Sequence, residues 1–147
     1  GVAFDGTNIW VSNFFNSVTR INPATNAVIG SPITVGTSPQ GIAFDGTNMW
    51  VTNAGSNNVT RIDAATGTVV GSPITVSNTP LGIAFDGTHI WVTNQGSDTV
   101  TRIDATTGSV IGSPITVGYA PQGVAFDGTN IWVANAGSDN VTKLRAT

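Results

Sequence analysis

The sequence predicts an all-β protein, a β-propeller with three complete four-stranded blades and three strands of a fourth, in one domain of residues 1–147. A segment of about 41 residues recurs along the chain, and each complete copy holds four short apolar runs separated by turn residues. Charged residues make up only 9% of the chain, and Gly, Thr, Asn and Ser fill the polar positions, as is typical of strands and turns. The expected blades are residues 1–40, 41–81, 82–122 and the incomplete 123–147.

Copy two shows the expected strands in order. Its apolar runs are too short for helices and have the length of strands. We name them A to D, and they are Gly41–Phe44, Met49–Asn53, Asn58–Ile62 and Thr68–Val76. Turn sequences such as Asp-Gly-Thr-Asn lie between them, so consecutive hairpins form a meander.

Strand B carries bulky side chains on both faces. Met49 and Val51 point to one face, and Trp50 and Thr52 point to the other. A sheet that is apolar on both faces must be covered on both, which neighbouring blades of a propeller do. We therefore interpret the strand-B tryptophans as packing between blades rather than as a carbohydrate platform. They are Trp10, Trp50, Trp91 and Trp132.

Prolines predict the order of the strands within a blade. Pro32, Pro73 and Pro114 lie inside strand D, and proline lacks the N–H that a central strand needs for its ladder. Strand D should therefore be the outer edge of each blade, and strand A should lie at the central axis. Further prolines stiffen the connector from D to the next A. They are Pro39, Pro80 and Pro121.

The strand-B segments carry a family resemblance. They read Trp10-Val11-Ser12-Asn13, Trp50-Val51-Thr52-Asn53, Trp91-Val92-Thr93-Asn94 and Trp132-Val133-Ala134-Asn135. These segments resemble the repeat of the YVTN family of β-propellers, with Trp in place of Tyr. The resemblance implies the propeller fold but no particular task, because one fold hosts many functions.

The resemblance also bears on location and activity. YVTN-family members are mostly bacterial and archaeal proteins that are secreted or lie on the cell surface, so the resemblance implies an extracellular or cell-surface location. Streptogramin (virginiamycin B) lyases are related propellers that use His and Glu side chains with magnesium. This chain has one His and no Glu, so the resemblance does not imply that activity.

Composition narrows the partners. The net charge of -3 argues against nucleic acid and anionic membrane surfaces, and no apolar run approaches the ~20 residues of a membrane span. There is no cysteine, so disulfides and thiolate metal sites are excluded. We expect no cofactor and no metal. The chain begins at Gly1 without Met, which fits a natural mature protein, a proteolytic fragment or an engineered piece.

Two kinds of residue could carry chemistry in the turn that joins strands A and B. His89 is the single histidine and stands where the other copies have Asn, so it could be a base or a metal ligand, although a surface substitution is the simpler interpretation. The repeated acids of the Asp-Gly-Thr turn could bind calcium, but capping of their own loop is favoured. They are Asp5, Asp45, Asp86 and Asp127.

Cations recur in strand C. A ring of them could bind an anion. The favoured account is ion pairs with Asp63 and Asp104, two residues further along the same strand face, together with solvation at the rim. The cations are Arg20, Arg61, Arg102 and Lys143. No nucleophile elbow or phosphate-binding glycine motif is present, and we predict no catalytic residues.

The copies differ mainly in the B–C turn and the D–A connector, which a meander places on one rim of the ring. In copy one this turn contains two aromatics where the others have small polar residues, and exposed aromatics on a variable rim can mark a contact surface. Loop drift, or packing of the aromatics under a connector, is the alternative. The candidate binding residues are Phe14, Phe15, Gln40, Gln95, Tyr119 and Gln122.

An incomplete ring leaves the apolar outward faces of its first and last blades exposed to solvent. We expect two chains to join head to tail as a homodimer of eight blades, with open chains as the competing assembly. The function that follows is a non-catalytic module for binding and assembly, with an unknown protein or glycan as a further possible ligand. The alternative is an enzyme whose site lies in the central channel and uses Asp, Asn and His89.

Overall fold

The computed structural model of the protein describes residues 1–146 and contains four antiparallel sheets of four, four, four and three strands. The prediction of an all-β partial propeller is confirmed. The strands are β1 Val2–Phe4, β2 Ile9–Asn13, β3 Ser17–Ile21, β4 Ile33–Thr34, β5 Pro39–Phe44, β6 Asn48–Asn53, β7 Asn58–Asp63, β8 Ile74–Thr75, β9 Pro80–Phe85, β10 His89–Asn94, β11 Thr99–Asp104, β12 Ile115–Thr116, β13 Pro121–Phe126, β14 Asn130–Asn135 and β15 Asn140–Arg145.

Every sheet is a meander in chain order, and we call the sheets blades 1 to 4. Blade 2 has the order β5-β6-β7-β8, so its fourth strand is an outer edge as predicted. The first strands of neighbouring blades contact one another, β1 with β5, β5 with β9 and β9 with β13, which puts them on the inner side of the ring. Within residues 1–146 the one helix is a single 3-10 turn at Gln95–Ser97, and no helix there is long and apolar enough to cross a bilayer.

The predicted extent of strand D, Thr68–Val76, is wrong. Only Ile74–Thr75 forms a strand with β7, while Val69 makes a separate bridge to Ile62. Between them the chain turns at Gly71, whose φ of 71° is the left-handed region that glycine tolerates. Pro73 therefore stands just before the strand rather than inside it, where its missing N–H costs no ladder bond.

The core lies between the blades. Trp10 and Val18 of blade 1 pack into a cluster with Ile42, Met49 and Val51 of blade 2. The same arrangement repeats twice, with Trp50 and then Trp91 at the centre of the next clusters. These three tryptophans are fully buried, which confirms that they are core residues. Each sheet thus gives its tryptophan face to the next blade and its aliphatic face to the blade before it.

We predict that Trp50→Ala lowers the free energy of unfolding by about 3–5 kcal/mol, because it empties the centre of a closed interblade cluster. Trp132→Ala is the matched control. In dilute solution it should cost about 1 kcal/mol or less, since its ring lies on an open face. Urea unfolding of both variants measures the difference, and equal losses would contradict the interblade core.

Candidate assembly faces and rim

Each strand-B tryptophan is held by the aspartate of its own Asp-Gly-Thr turn. The indole N–H of Trp50 donates to Asp45 Oδ2 at 2.6 Å, while Asp45 Oδ1 accepts the backbone N–H groups of Thr47 and Asn48. All four copies repeat this contact. The turn role of the aspartate was expected, but the indole bond was missed. The constant five-residue spacing of Asp and Trp was the signal that could have revealed it.

These contacts lower several pKa values. The Trp132 indole, followed by backbone N–H groups, holds the pKa of Asp127 far below its usual range. Burial alone would raise the pKa of Asp5 and Asp86, but their indole and backbone hydrogen bonds outweigh it, so both pKa values are also lowered. The carboxylates are therefore structural anions, and both oxygens of each accept N–H donors.

The strand-C arginines link neighbouring blades. The Arg61 guanidinium lies 5.4 Å from the centre of the Trp50 ring and donates through Nη1 to the carbonyls of Ala105 and Thr106 in the next blade. Arg20 does the same with Ala64 and Ala65. The expected ion pairs with Asp63 and Asp104 are therefore wrong. Each of those carboxylates instead accepts the backbone N–H and hydroxyl of the threonine three residues on, Thr66 or Thr107.

A hydroxyl in strand B makes a second polar link across each junction. Thr52 Oγ1 donates to the carbonyl of Leu81 at 2.8 Å, and Ser12 and Thr93 donate in the same way to Gln40 and Gln122. The first strands approach closely here, since a Cβ placed on Gly41 would clash with the Leu81 carbonyl oxygen. The glycine that begins this copy is thus required by the packing of neighbouring blades.

The tryptophan face of blade 4 is open. Trp132 is 40% exposed, and Val141 beside it is 59% exposed, whereas their counterparts in blades 1 to 3 are fully buried. Together with Gly123, Ala125 and Ala134 they line an apolar hollow of about 370 Å³. The ammonium of Lys143 lies 5.2 Å from the Trp132 ring, in the place of the arginine. We call this surface the blade-4 face.

The aliphatic face of blade 1 is open as well. Val2 and Phe4 are 68% and 54% exposed, and Ile9 and Val11 are half-buried. Their counterparts in blade 2 form the aliphatic surface against which Trp10 packs. We call this surface the blade-1 face. The blade-1 and blade-4 faces are the two separated halves of the contact that the three internal junctions make.

Four of the six candidate rim residues lie where the B–C turns meet the D–A connectors. The turn N–H of Gln95 donates to the carbonyl of Thr79, and that of Gly137 donates to the carbonyl of Tyr119. The two connections therefore share one rim of the blades, as expected. A binding role for any of these residues stays a prediction.

The rim residues differ in exposure. Phe14 and Phe15 form an edge-to-face pair with ring centres 5.6 Å apart, and the Phe15 side chain is 86% exposed. Tyr119 is exposed, and Gln95 is half-buried at the start of the 3-10 turn. Gln40 and Gln122 instead lie in the inner strands β5 and β13, where their carbonyls accept the interblade hydroxyls.

His89 lies in the A–B turn beside an aspartate of the same turn. Its Nδ1 is 3.2 Å from Asp86 Oδ2, an oxygen that also accepts the Trp91 indole N–H. Both residues line a cleft of about 320 Å³ between blades 3 and 4. Among residues 1–146 no group of three or more His, Asp or Glu side chains is placed to hold a metal ion. Asp104 lies opposite His89 on the neighbouring strand β11 and is a third ionisable group near the pair.

Comparison with known proteins supports the fold. No family model matches the chain, and no curated sequence matches it either. Several solved structures do match the chain. Hydrazine synthase of Kuenenia stuttgartiensis is 27% identical, with a TM-score of 0.83 over 96% of this chain and 43% of that chain. A catalytically inactive virginiamycin B lyase from Staphylococcus aureus with quinupristin is 24% identical, with a TM-score of 0.78 over 95% of this chain and 48% of that one.

The protein is a β-propeller repeat protein. The computationally designed Ika4 protein has a TM-score of 0.83 at 11% identity, over 99% of this chain and 89% of that chain. WD40 repeat proteins such as RRP9 are also similar, with a TM-score of 0.74. The chain spans less than half of the hydrazine synthase chain and of the virginiamycin B lyase chain described above. Designed, WD40-repeat and enzyme propellers all match, so the fold is shown without a task.

The lowered aspartate pKa values set the response to acid. An unfolded Asp has a pKa near 3.9, so the stability that these carboxylates contribute is complete above that pH and is lost as the pH falls below it. We predict that the urea midpoint is nearly constant from pH 7 to about 5 and falls steeply below about pH 4. Asp86→Asn should be less stable at pH 7 and less sensitive to acid. A midpoint that rises toward pH 3 would contradict this account.

Proposed function

We propose that the chain is a non-catalytic module for binding and assembly, and that two copies join head to tail into an eight-bladed ring. The observation that carries the proposal is the complementarity of the blade-4 face and the blade-1 face. The blade-4 face presents Trp132 and Val141, which correspond to the side chains that blades 1 to 3 bury. The blade-1 face presents Val2 and Phe4, which correspond to the aliphatic blade-2 residues against which Trp10 and Val18 pack.

Burial of these faces supplies the driving force. Removing apolar surface from water is favourable by about 25 cal/mol per Å², and both faces hold large apolar side chains that are wet in the single chain. The contact joins two different surfaces, so it is heterologous and must either close into a ring or continue as an open chain. A ring of two chains leaves neither face exposed, which favours closure.

The contact between chains should be weaker than the internal junctions. Ala134 stands where Ser12, Thr52 and Thr93 supply the interblade hydroxyl. Lys143 replaces the arginine, and a single ammonium cannot reproduce the planar contact of a guanidinium with both ring and carbonyls. We therefore propose a reversible dimer whose two seams open before any internal junction does.

The contacts of the candidate acids favour binding over catalysis. Each Asp-Gly-Thr carboxylate is occupied by the indole and backbone donors of its own blade, which leaves it poorly suited to act on a substrate. We place a further ligand, a protein or a glycan at the cell surface or outside the cell, on the rim that carries Phe14, Phe15 and Tyr119. These aromatics are exposed and offer flat apolar contact area.

The assembly is tested by light scattering coupled to size-exclusion chromatography. We expect a species of twice the 15.0 kDa chain mass at micromolar concentration. Val141→Glu on the blade-4 face and Phe4→Glu on the blade-1 face should each give monomers, because either charge would be buried in both seams. Phe15→Glu is the matched control, since its side chain is on the rim, and it should leave the dimer intact.

Mixing the two monomeric variants tests the head-to-tail arrangement. One seam of the mixed pair joins two wild-type faces, so an equimolar mixture should recover a dimer that neither variant forms alone. A stable wild-type monomer at micromolar concentration would refute the assembly proposal. Larger species whose mass grows with concentration would show that the chains form open assemblies rather than a closed ring.

A further inference from the structure

The outer edge of β15 differs from the corresponding edges of the other blades. In blades 1 to 3 the third strand carries a short segment of sequence Ser-Pro-Ile-Thr-Val along its outer side. Val117 N–H donates to the Asp98 carbonyl at 3.0 Å, and Ile111 N–H donates to the Arg102 carbonyl at 2.8 Å. Blades 1 and 2 repeat both bonds with the same lengths. In blade 4 the corresponding carbonyls belong to Asp139 and Lys143, and residues 1–146 place no strand beside β15.

The isoleucine of that segment fits an apolar site. Ile115 pairs with Val100 and packs against the cluster that holds Trp91. Ile33 and Ile74 take the same position in blades 1 and 2. In blade 4 the corresponding site is the hollow lined by Trp132 and Val141. It retains the tryptophan and valine that the other blades use, and it is open.

The turn before β15 retains the acceptor group for a third contact. Asp98 has a φ of 55°, and its Oδ1 accepts the N–H of Ala120 in the connector that follows the short strand, at 2.8 Å. Asn57 does the same with Thr79 at 2.9 Å. Asp139 has a φ of 51° and carries the same carboxylate acceptor. Blade 4 thus keeps the backbone edge and the apolar hollow that hold this segment in blades 1 to 3, and the side-chain acceptor that adds to them in blades 2 and 3.

We infer that the outer edge of β15 and the adjoining hollow bind an extended segment of another molecule with the pattern Ser-Pro-Ile-Thr-Val followed by a short connector. The segment adds a strand antiparallel to β15, with its Ile opposite Val141 and its Thr opposite Asn140. The N–H of its Val donates to the Asp139 carbonyl. The proline has no N–H to donate and stands just outside the ladder, as Pro114 does.

This site also bears on assembly, and in that respect the inference rests on the proposed function. Ile33 lies in a cluster shared by blades 1 and 2, so the isoleucine of a bound segment would lie in the seam between blade 4 and blade 1 of a second copy. Segment binding and ring closure should therefore strengthen each other. By linkage, each must raise the affinity of the other by the same factor.

The test uses the whole chain and a synthetic peptide with the sequence of residues 110–122, capped at both ends. Isothermal calorimetry should show saturable binding of one peptide per chain. A peptide N-methylated at the residue corresponding to Val117 should bind at least about fivefold more weakly, because it loses the donor to the Asp139 carbonyl. A peptide N-methylated at Thr116 is the matched control and should bind within about twofold, since that N–H points away from the edge.

Light scattering on the same samples separates this inference from the ring. The Phe4→Glu chain should still bind the peptide at β15 even though it is monomeric. A wild-type chain that binds the peptide but stays monomeric refutes the ring and keeps the site. Absence of saturable binding up to millimolar peptide overturns the inference, whatever the state of assembly. Equal affinities for the two methylated peptides, or more than one peptide per chain, also overturn it, because the contact would then not be a specific strand at β15.

Discussion

Burial of tryptophan between blades is the interaction on which the rest of the structure depends. A single four-stranded sheet of this chain has no core of its own, because both of its faces are apolar and neither covers the other. Trp10, Trp50 and Trp91 each cross from one sheet into the next and are fully buried there. Stability is thus carried by junctions rather than by blades, as in other repeat architectures. Any face without a neighbour is then an exposed half of a junction.

The polar residues of the repeat serve the same junction. An aspartate fixes the indole N–H, an arginine stacks on the ring and reaches the carbonyls of the next blade, and a hydroxyl joins the inner strands. This explains how a chain with so few charged residues keeps its acids and arginines at constant positions. It also explains what engages these residues, which could otherwise suggest ion pairs or metal ligands.

Much of the fold could be predicted because the repeat shows the same local pattern several times. Strand B, the meander and the outer position of the last strand all followed from alternation, turn residues and proline. The extent of strand D did not, because Val69 and Ile74 are both apolar and β-branched, and the turn at Gly71 interrupts them. The arginine contacts were also missed, since the same-face aspartate was the nearer partner in sequence, whereas the carbonyls that accept from Arg61 are 44 and 45 residues away.

The sequence by itself determined the repeat, the strand type and the fact that both faces of each sheet need cover. These are local properties, set by side-chain alternation over a few residues and by what glycine and proline allow. Only the tertiary structure decided which face of one blade meets which face of the next, because that pairing depends on contacts between residues 29 to 44 positions apart. Within residues 1–146 it also decided that blade 4 keeps its tryptophan, its valine and an edge with no strand beside it on one open side. Apolar surface and backbone hydrogen-bonding groups are therefore exposed together on that side, and the proposed binding site rests on this arrangement.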